Sequence, residues 1–307
     1  MSSNFFNNST YPIGLDISDL SIKLVQLKKN KGKIKIQALG KISINEGIIN
    51  NGEIINNDKA VEVIKKLINN LKFGKVTSDE AVVSLPETKT FIKLIKINKT
   101  ANQISEIINH EIEKNIPMSI DEIYYDWQVI EEHQDHQLIL ISAAPRNMVD
   151  QYMSLLKDAG LSVVAMETEP ISLCRSLLNE ELPDFEGKKN YGIIDIGARR
   201  TSMTIYSKNT IAFTMSVPIS GEKITNTIMN ALEIKKSYAE KAKIFCGLDK
   251  GKAQGIVKGI LDEVNRITHL FYRHIDTRTL YDMLSNGLND IKELYTALLE
   301  VIEEDEK

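Results

Sequence analysis

Residues 14–24 read Gly14-Leu15-Asp16-Ile17-Ser18-Asp19-Leu20-Ser21-Ile22-Lys23-Leu24, and residues 192–202 read Gly192-Ile193-Ile194-Asp195-Ile196-Gly197-Ala198-Arg199-Arg200-Thr201-Ser202. In each copy an apolar strand ends in Asp-Ile, a few turn-forming residues follow, and a second strand begins. Each copy then passes through a polar turn, residues 29–32 or 207–209, into a third strand. The repeat predicts a duplicated pair of domains whose turns hold one ligand across a shared cleft.

The composition is that of an ordinary globular protein with room for about two domains. The chain has 307 residues, of which 42% are hydrophobic and 26% are charged. A formal net charge of -4 gives no reason to expect an unassisted nucleic-acid binder. Cys174 and Cys246 are isolated, as is usual in a reducing cytosol, and no apolar run approaches a membrane span. We therefore expect a cytoplasmic protein, with residues 1–10 as a flexible polar tail.

Changes in composition along the chain predict two domains. The first is expected over residues 11–181, with an inserted subdomain at about 88–140, where the character of the sequence changes. Residues 182–190 carry proline, glycine and charge, and they are the predicted linker. The second copy of the repeat begins just after this linker, so the second domain is expected over residues 191–307.

Strands and helices alternate in a way that predicts the α/β class. Ala60, Ile64 and Leu67 are spaced as on one helical face, and Gly160 is expected to end a later helix in the left-handed conformation. Pro117 is expected to stop a helix in the inserted subdomain, because proline lacks an N–H group. The predicted strands cover residues 13–17, 21–27, 33–43, 81–85, 90–97, 123–130, 137–144 and 161–167, and the predicted later helices cover residues 148–159, 170–179, 222–232, 236–245, 254–272 and 288–303.

The second of the two repeated turns has the chemistry of a phosphate site. A tight turn can point successive backbone N–H groups at an anion, and Gly197 followed by Ala198 allows the close approach that this needs. Asp195, at the end of the preceding strand, is a candidate ligand of Mg²⁺ through water, and Arg199 adds donors nearby. An ordinary β-turn of small polar residues explains the same pattern, so both interpretations stay open.

The first turn matches this description less well. Asp16 holds the position of the candidate Mg²⁺ ligand, but Ser18 stands in place of glycine. Asp19 puts a negative charge where a phosphate would lie, and Lys23 compensates for it if its side chain points inward. The duplication is what favours an ancestral phosphate site over two unrelated turns.

The chain resembles the actin-like superfamily in its repeated turns and, more narrowly, the PilM family of type IV pilus assembly proteins. The most specific part is the Ile-Pro, Asp-Glu and Asp-x-Gln-Val series, which generic actin-like kinases and chaperones lack. The resembling residues are Gly14-Leu15-Asp16-Ile17, Ser21-Ile22-Lys23-Leu24-Val25, Val83-Ser84-Leu85-Pro86, Glu111, Asn115-Ile116-Pro117, Asp121-Glu122, Asp126-Trp127-Gln128-Val129, Ala143-Ala144-Pro145, Ala159-Gly160-Leu161, Asp195-Ile196-Gly197-Ala198 and Ala239-Glu240.

This resemblance implies an actin-like α/β fold of two ribonuclease-H-like domains, with a subdomain inserted in the first. It also implies a place at the inner face of the cell membrane, reached through partners. The implied partners are the N-terminal tail of a PilN-like inner-membrane protein and other pilus platform proteins, with no nucleic acid and no direct membrane insertion. The implied groove for the tail lies between the core of the first domain and the inserted subdomain, and it suits an extended peptide.

The family resemblance further implies ATP with Mg²⁺, here as a structural ligand of a non-catalytic or very weak ATPase. Ser18 and Asp19 depart from the Gly and Ser/Thr that the family often has at these positions. The family has a glycine-rich turn after a strand on the adenosine side of its nucleotide site, and residues 284–288 are the corresponding stretch here. Only Gly287 matches this motif cleanly, and Leu288 would crowd a nucleotide ring. The final strand and helix usual after that motif are also missing, so the second domain is expected to be shortened or degenerate.

Two alternative functions follow from the same superfamily. An actin-like ATPase would use Asp16, Asp195 and Gly197. A filament-forming protein of the FtsA kind would need a basic, apolar-faced helix at the C-terminus. The chain instead ends in Glu303-Glu304-Asp305-Glu306-Lys307, which an anionic membrane would repel, so we expect a partner to supply the membrane association.

Overall fold

The computed structural model of the protein describes residues 10–98, 104–116, 118–178, 190–207, 209–217 and 220–246. The chain divides into two compact units, Met1–Asn179 and Glu180–Lys307. No helix within the described ranges is long and apolar enough to cross a bilayer. Outside those ranges lie nearly all of the predicted tail and linker, the helices predicted at 254–272 and 288–303, Pro117 and Gly287. The predicted domain boundaries stay predictions.

A six-stranded mixed sheet forms the centre of the first unit. Its order is β11-β7-β1-β2-β3-β6, in which β1, β2 and β3 form an antiparallel meander and β7 runs parallel to both β1 and β11. A two-stranded hairpin, β4 and β5, follows the meander. The strands are β1 Thr10–Ser18, β2 Ser21–Asn30, β3 Lys33–Ser43, β4 Ile49–Asn50, β5 Glu53–Ile54, β6 Phe73–Gly74, β7 Glu80–Leu85 and β11 Ser162–Thr168.

Two helices cover one face of this sheet and close the main core. Helix α1, Asn57–Asn69, begins where the Asn56 side chain accepts a hydrogen bond from the Lys59 N–H at 3.0 Å. Its residues Ala60, Ile64 and Leu67 are buried, as their spacing predicted. Helix α3, Arg146–Asp158, packs into the same core, and α4 is Glu169–Leu177.

The end of α3 confirms the prediction made for Gly160. Its φ angle is +86°, in the left-handed region that favours glycine. The Gly160 N–H donates to the Lys157 carbonyl at 3.0 Å, and the Leu161 N–H donates to the Leu156 carbonyl at 2.8 Å. This paired arrangement satisfies two carbonyl groups that a helix end leaves without intrahelical donors.

The segment between β7 and α3 forms a separate three-stranded sheet with its own helix. The sheet order is β8-β10-β9, so β8 and β9 are its edges. Its apolar core, which includes Ile95, Ile108, Ile112 and Ile139, is distinct from the core of the larger sheet. The elements are β8 Phe91–Asn98, α2 Ile104–Asn115, β9 Ile123–Glu132 and β10 His136–Pro145, with short 3-10 helices at Glu87–Lys89 and Ile120–Glu122.

The second unit repeats the strand meander of the first. Its strands pair in the order β12-β13-β14, and both pairs are antiparallel. Two helices follow within a residue or two of their predicted positions. The elements are β12 Tyr191–Ile196, β13 Thr201–Ser207, β14 Thr210–Val217, α5 Gly221–Leu232 and α6 Lys236–Cys246.

Candidate functional site

The first repeated turn lies between β1 and β2, and its carboxylate is engaged by the turn itself. Asp16 and Lys23 are direct cross-strand partners. The Lys23 Nζ lies 2.6 Å from Asp16 Oδ2, and the Ser18 hydroxyl donates to Asp16 Oδ1 at 2.8 Å. The Lys23 and Asp16 side chains are 53% and 37% exposed. Lys23 thus places its positive charge on Asp16, and both groups can be reached from solvent.

Asp19 points away from that pair toward the β4–β5 hairpin. Its two carboxylate oxygens accept hydrogen bonds from the backbone N–H groups of Asn51 and Gly52, both at 2.9 Å. Hydrogen bonds to an ionised acceptor are stronger than neutral ones. Asp19 therefore fixes a turn that is more than 30 residues away in the chain.

Gly52 connects this turn to the base of the inserted subdomain. Its φ is +75°, and a Cβ atom there would lie 2.4 Å from Cγ of Pro86. Its carbonyl accepts a hydrogen bond from the Tyr152 hydroxyl at 3.0 Å. The neighbouring Glu53 pairs with Lys89 of the short helix at the base of the insert, at 2.6 Å. The first repeated turn, α3 and the insert are thus joined through one residue that only glycine suits.

The Tyr152 hydroxyl lies in a buried position within this network. Burial raises the pKa of Tyr152 well above its usual range, and the charges of Asp19, Asp16 and Glu169 raise it further. The hydroxyl therefore stays protonated and remains a hydrogen-bond donor to Gly52. Sequence reasoning did not single out this contact, although the Asn51-Gly52 pair is a strong hairpin signal.

The second repeated turn, residues 197–200, is closed by its own backbone. The Gly197 N–H donates to the Arg200 carbonyl at 2.9 Å, and a Cβ on Gly197 would lie 2.7 Å from that oxygen. The turn carbonyls of Gly197 and Ala198 accept the N–H groups of Gly221 and Glu222, at 3.0 and 2.9 Å. Glycine is needed here for close backbone approach, and the turn holds the beginning of α5.

The arginines of this turn contact their own unit. Arg200 Nε donates to the Ser216 hydroxyl on β14 at 2.7 Å, and Arg199 Nε lies 3.7 Å from a Glu222 carboxylate oxygen. The hydrogen bond from Lys236 holds the pKa of Glu222 below its ordinary value, and the nearby Arg199 charge adds to this. Asp195 is half-buried opposite Ser202. These side chains stabilise the packing of α5 on the meander.

The first turn offers donors and acceptors that fit a phosphate group with Mg²⁺. Asp16 supplies a carboxylate, Ser18 a hydroxyl and Lys23 an ammonium group, all near the surface. In the second turn the Gly197 N–H is already bonded, and so are the first N–H groups of α5. Among the described residues no group of three or more His, Cys, Asp or Glu side chains is placed to hold a metal ion. The predicted site residues, including Asp195 and Arg199 as ligands, stay predictions.

The inserted subdomain carries an apolar cavity that the sequence did not reveal. It has a volume of about 130 Å³ and lies between β8 and the end of α2. It is lined mainly by isoleucines and by Phe91, with Lys93 and Glu111 as its charged members. β8 runs along one edge of its sheet. The Phe91 end of β8 lies where the insert joins the main sheet, because Phe91 pairs with Ala143 just before α3.

Comparison with solved structures identifies the class of fold. The protein has the actin-like α/β fold. A "PilM-PilN type IV pilus biogenesis complex" matches with a TM-score of 0.71 at 20% identity, covering 89% of this chain and 86% of that one. The ethanolamine utilization protein EutJ from Carboxydothermus hydrogenoformans matches with a TM-score of 0.53 at 14% identity, covering 88% of this chain and 73% of that one.

Comparison of sequences narrows the class to a family. The family model described as "Type IV pilus assembly protein PilM" matches residues 14–302, and the chain belongs to this family. The cell division protein FtsA of Streptococcus pneumoniae serotype 2 (strain D39 / NCTC 7466) is 22% identical over 265 residues, covering 76% of this chain. FtsA of Enterococcus hirae is 24% identical over 261 residues, also covering 76%. The chain spans 55% and 57% of those two proteins, little more than half their length.

Proposed function

We propose that the protein is a cytoplasmic scaffold of the type IV pilus inner-membrane platform. In this role it binds the N-terminal tail of a PilN-like membrane protein, together with other platform proteins, and this tail holds it at the inner face of the membrane. The observation that carries the proposal is the family match over residues 14–302. The structural similarity to a chain of a PilM-PilN complex supports the choice of partner.

The inserted subdomain has the features that capture of an extended peptide requires. An edge strand offers backbone N–H and C=O groups to an added strand, and a nearby pocket selects a side chain. β8 is such an edge, and the apolar cavity beside Ile92 and Ile95 would accept one aliphatic side chain. Phe91, at the start of β8, lies next to the base of the insert, where the groove is expected. We therefore place the tail along β8, with an apolar anchor in the cavity.

ATP with Mg²⁺ enters the proposal only as a structural ligand. When bound, it would supply a negatively charged phosphate group and a divalent cation. Asp16, Ser18 and Lys23 are the residues of the first unit that would hold it. Lys23 would have to turn from Asp16 toward a phosphate, since one ammonium group cannot fully neutralise both. A rise in melting temperature on adding ATP and Mg²⁺, lost in Lys23→Met, tests this ligand.

Calorimetric titration with a synthetic copy of the partner's N-terminal tail tests the scaffold role. Ile92→Glu places a charge at the wall of the cavity and should abolish binding, because an unpaired charge is costly in an apolar pocket. The matched control is Val164→Glu, which changes an aliphatic residue of 50% exposure on β11, an edge strand of the other sheet. The control should bind as the parent does. Absence of binding by the parent chain would contradict the proposal.

The two alternative functions have direct tests of their own. An actin-like ATPase would turn over ATP and lose this activity in Asp195→Ala. A filament-forming protein of the FtsA kind would sediment as polymer without any membrane protein. We expect neither result from the purified chain.

A further inference from the structure

The β2–β3 hairpin extends beyond the sheet as a two-stranded ribbon. Its last pairs are Lys28 with Lys35, Lys29 with Ile34, and Asn30 with Lys33. All four residues from Lys33 to Ile36 are exposed, so both faces of the β3 half of the ribbon meet solvent. Lys31 and Gly32 form the turn with φ angles of 50° and 80°, which is the usual geometry of a two-residue hairpin loop. We call residues 27–36 the ribbon.

The ribbon is strongly basic although the whole chain is acidic. Residues 20–45 contain seven lysines and no aspartate or glutamate, whereas the net charge of the chain is -4. Lys23 pairs with Asp16 below the ribbon. Among the residues that the structure describes, no ion pair involves the five lysines of the ribbon. A local charge of about five is therefore available to an anionic partner.

The ribbon also has an apolar side. Direct cross-strand partners share a face, so Ile34 and Ile36 lie on the same side as Leu27 and Lys29. Ile34 is 57% exposed and Ile36 is 48% exposed. The same register puts the other strand lysines on the opposite side. Aliphatic and cationic groups thus alternate along one short projecting element.

This chemistry fits a charged lipid surface better than a nucleic acid. Residues 20–45 contain no arginine and no aromatic side chain, which are the groups that usually stack on bases. Lysines near an anionic leaflet are attracted to its headgroups, and exposed aliphatic side chains enter the boundary between headgroups and acyl chains. We propose that the ribbon, residues 27–36, docks on the anionic phospholipid surface of the membrane. This contact goes beyond the proposed scaffold role, because it adds a direct lipid contact to the association that the partner's tail supplies. It requires no segment inserted through the bilayer.

The ribbon and the inserted subdomain leave the main sheet at opposite ends. β7 runs parallel to β1, and the insert follows the carboxyl end of β7, beside the turn that joins β1 to β2. β2 runs antiparallel to β1, so the turn at Lys31 lies at the other end. A substitution in the ribbon should therefore leave tail binding unchanged. Vesicle binding and tail binding are therefore measured in the same variants. This distinguishes failure of lipid docking from failure of the scaffold role.

Co-sedimentation of the full chain with vesicles tests the proposal. The vesicles contain one part phosphatidylglycerol to two parts phosphatidylcholine, and pure phosphatidylcholine vesicles are the neutral comparison. We expect sedimentation only with the anionic vesicles and at low ionic strength, because salt screens surface charges. No sedimentation with anionic vesicles at low salt, or equal sedimentation with neutral ones, would overturn the proposal.

Charge-reversal variants localise the contact. Lys31→Glu with Lys33→Glu should lower the partition coefficient at least about 25-fold, at roughly fivefold for each lysine removed. Lys65→Glu with Lys72→Glu makes the same change in net charge at exposed positions near α1, and it should bind nearly as the parent does. Ile34→Ser with Ile36→Ser should weaken binding to the anionic vesicles at low salt, although it leaves the net charge unchanged. Equal loss in both charge variants, or tighter binding of the parent to a DNA duplex than to the vesicles, would overturn the assignment.

Discussion

Asp19 and Gly52 are joined by a hydrogen bond of 2.9 Å from the Gly52 N–H to the Asp19 carboxylate. Asp19 belongs to the first repeated turn, and Gly52 packs against Pro86 at the base of the inserted subdomain. The turn in which a phosphate site was predicted and the base of the proposed tail site are therefore mechanically linked. This link couples the first repeated turn to the base of the insert within the first unit.

Asp19→Ala should destabilise the first unit by about 2 kcal/mol, because two backbone N–H groups lose a charged acceptor. Asp19→Asn keeps one carbonyl acceptor but turns its NH₂ group toward the other backbone N–H, so it should also destabilise the first unit. Urea unfolding followed by the fluorescence of Trp127 gives the free energy of unfolding. Equal stability of the parent and the alanine variant would show that water replaces the carboxylate without loss.

Gly52→Ala should be costly for two reasons. Its Cβ would lie 2.4 Å from Pro86, and its φ angle is positive. Gly47→Ala is the matched control, because Gly47 has a φ of +85° but nothing within 4 Å of the added Cβ. We expect about 1 kcal/mol for the control, from backbone conformation alone, and at least twice that for Gly52→Ala. Equal costs would mean that Pro86 moves freely and does not fix the base of the insert.

The raised pKa of Tyr152 predicts how the stability of the first unit changes at alkaline pH. The pKa of Tyr152 is raised in the folded state, chiefly by burial. The folded state therefore holds this proton more tightly than the unfolded state does, and stability falls as pH rises above about 10, the value in the unfolded chain. Tyr152→Phe removes this part of the decline and also loses the bond to Gly52. Urea midpoints measured from pH 8 to 11, with Tyr125→Phe as the control, follow this decline in stability. Parallel curves of midpoint against pH for the parent and Tyr152→Phe would refute the assignment of the decline to Tyr152.

The stability of the second unit should fall as the pH is lowered. Bonds from Lys236 and from Thr225 hold the pKa values of Glu222 and Glu240, respectively, below their ordinary values. Their stabilising effect is present above the unfolded value of about 4.5 and is lost as pH falls through the lower folded values. The protection factors of α5 and α6, which correct the exchange rates for the intrinsic rate at each pH, should fall over this interval. The variant with Glu222→Gln and Glu240→Gln should show a flatter pH dependence, and an unchanged slope would exclude these two groups as its cause.

Much of the fold followed from local patterns in the sequence. The three strands of the first meander and the glycine end of α3 were predicted, because alternation and left-handed caps are short-range signals. β2 extends to Asn30 rather than Leu27, since its pairing with β3 continues to Lys33. That extension, which no apolar pattern indicates, is what creates the basic ribbon.

The candidate site was less predictable because its contacts are long-range. Asp19 bonds to residues more than 30 positions away, and the cavity of the insert arises from packing of α2 on β8. Gly197 is predicted as part of an anion-binding turn, and the structure shows in addition that its backbone closely approaches the Arg200 carbonyl. A small residue in a turn thus has the same sequence signal for two different physical roles.

Hydrogen–deuterium exchange with the partner's tail peptide tests the central proposal most directly. The experiment compares the full chain alone and in the presence of saturating synthetic peptide copying the N-terminal tail. An extended peptide added to β8 would satisfy the N–H groups along its outer edge, so exchange in Phe91–Asn98 should slow by tenfold or more, as expected for about 1.4 kcal/mol of added protection. Protection should also reach the end of α2 that lines the cavity. Binding without any protection of β8 would contradict the account.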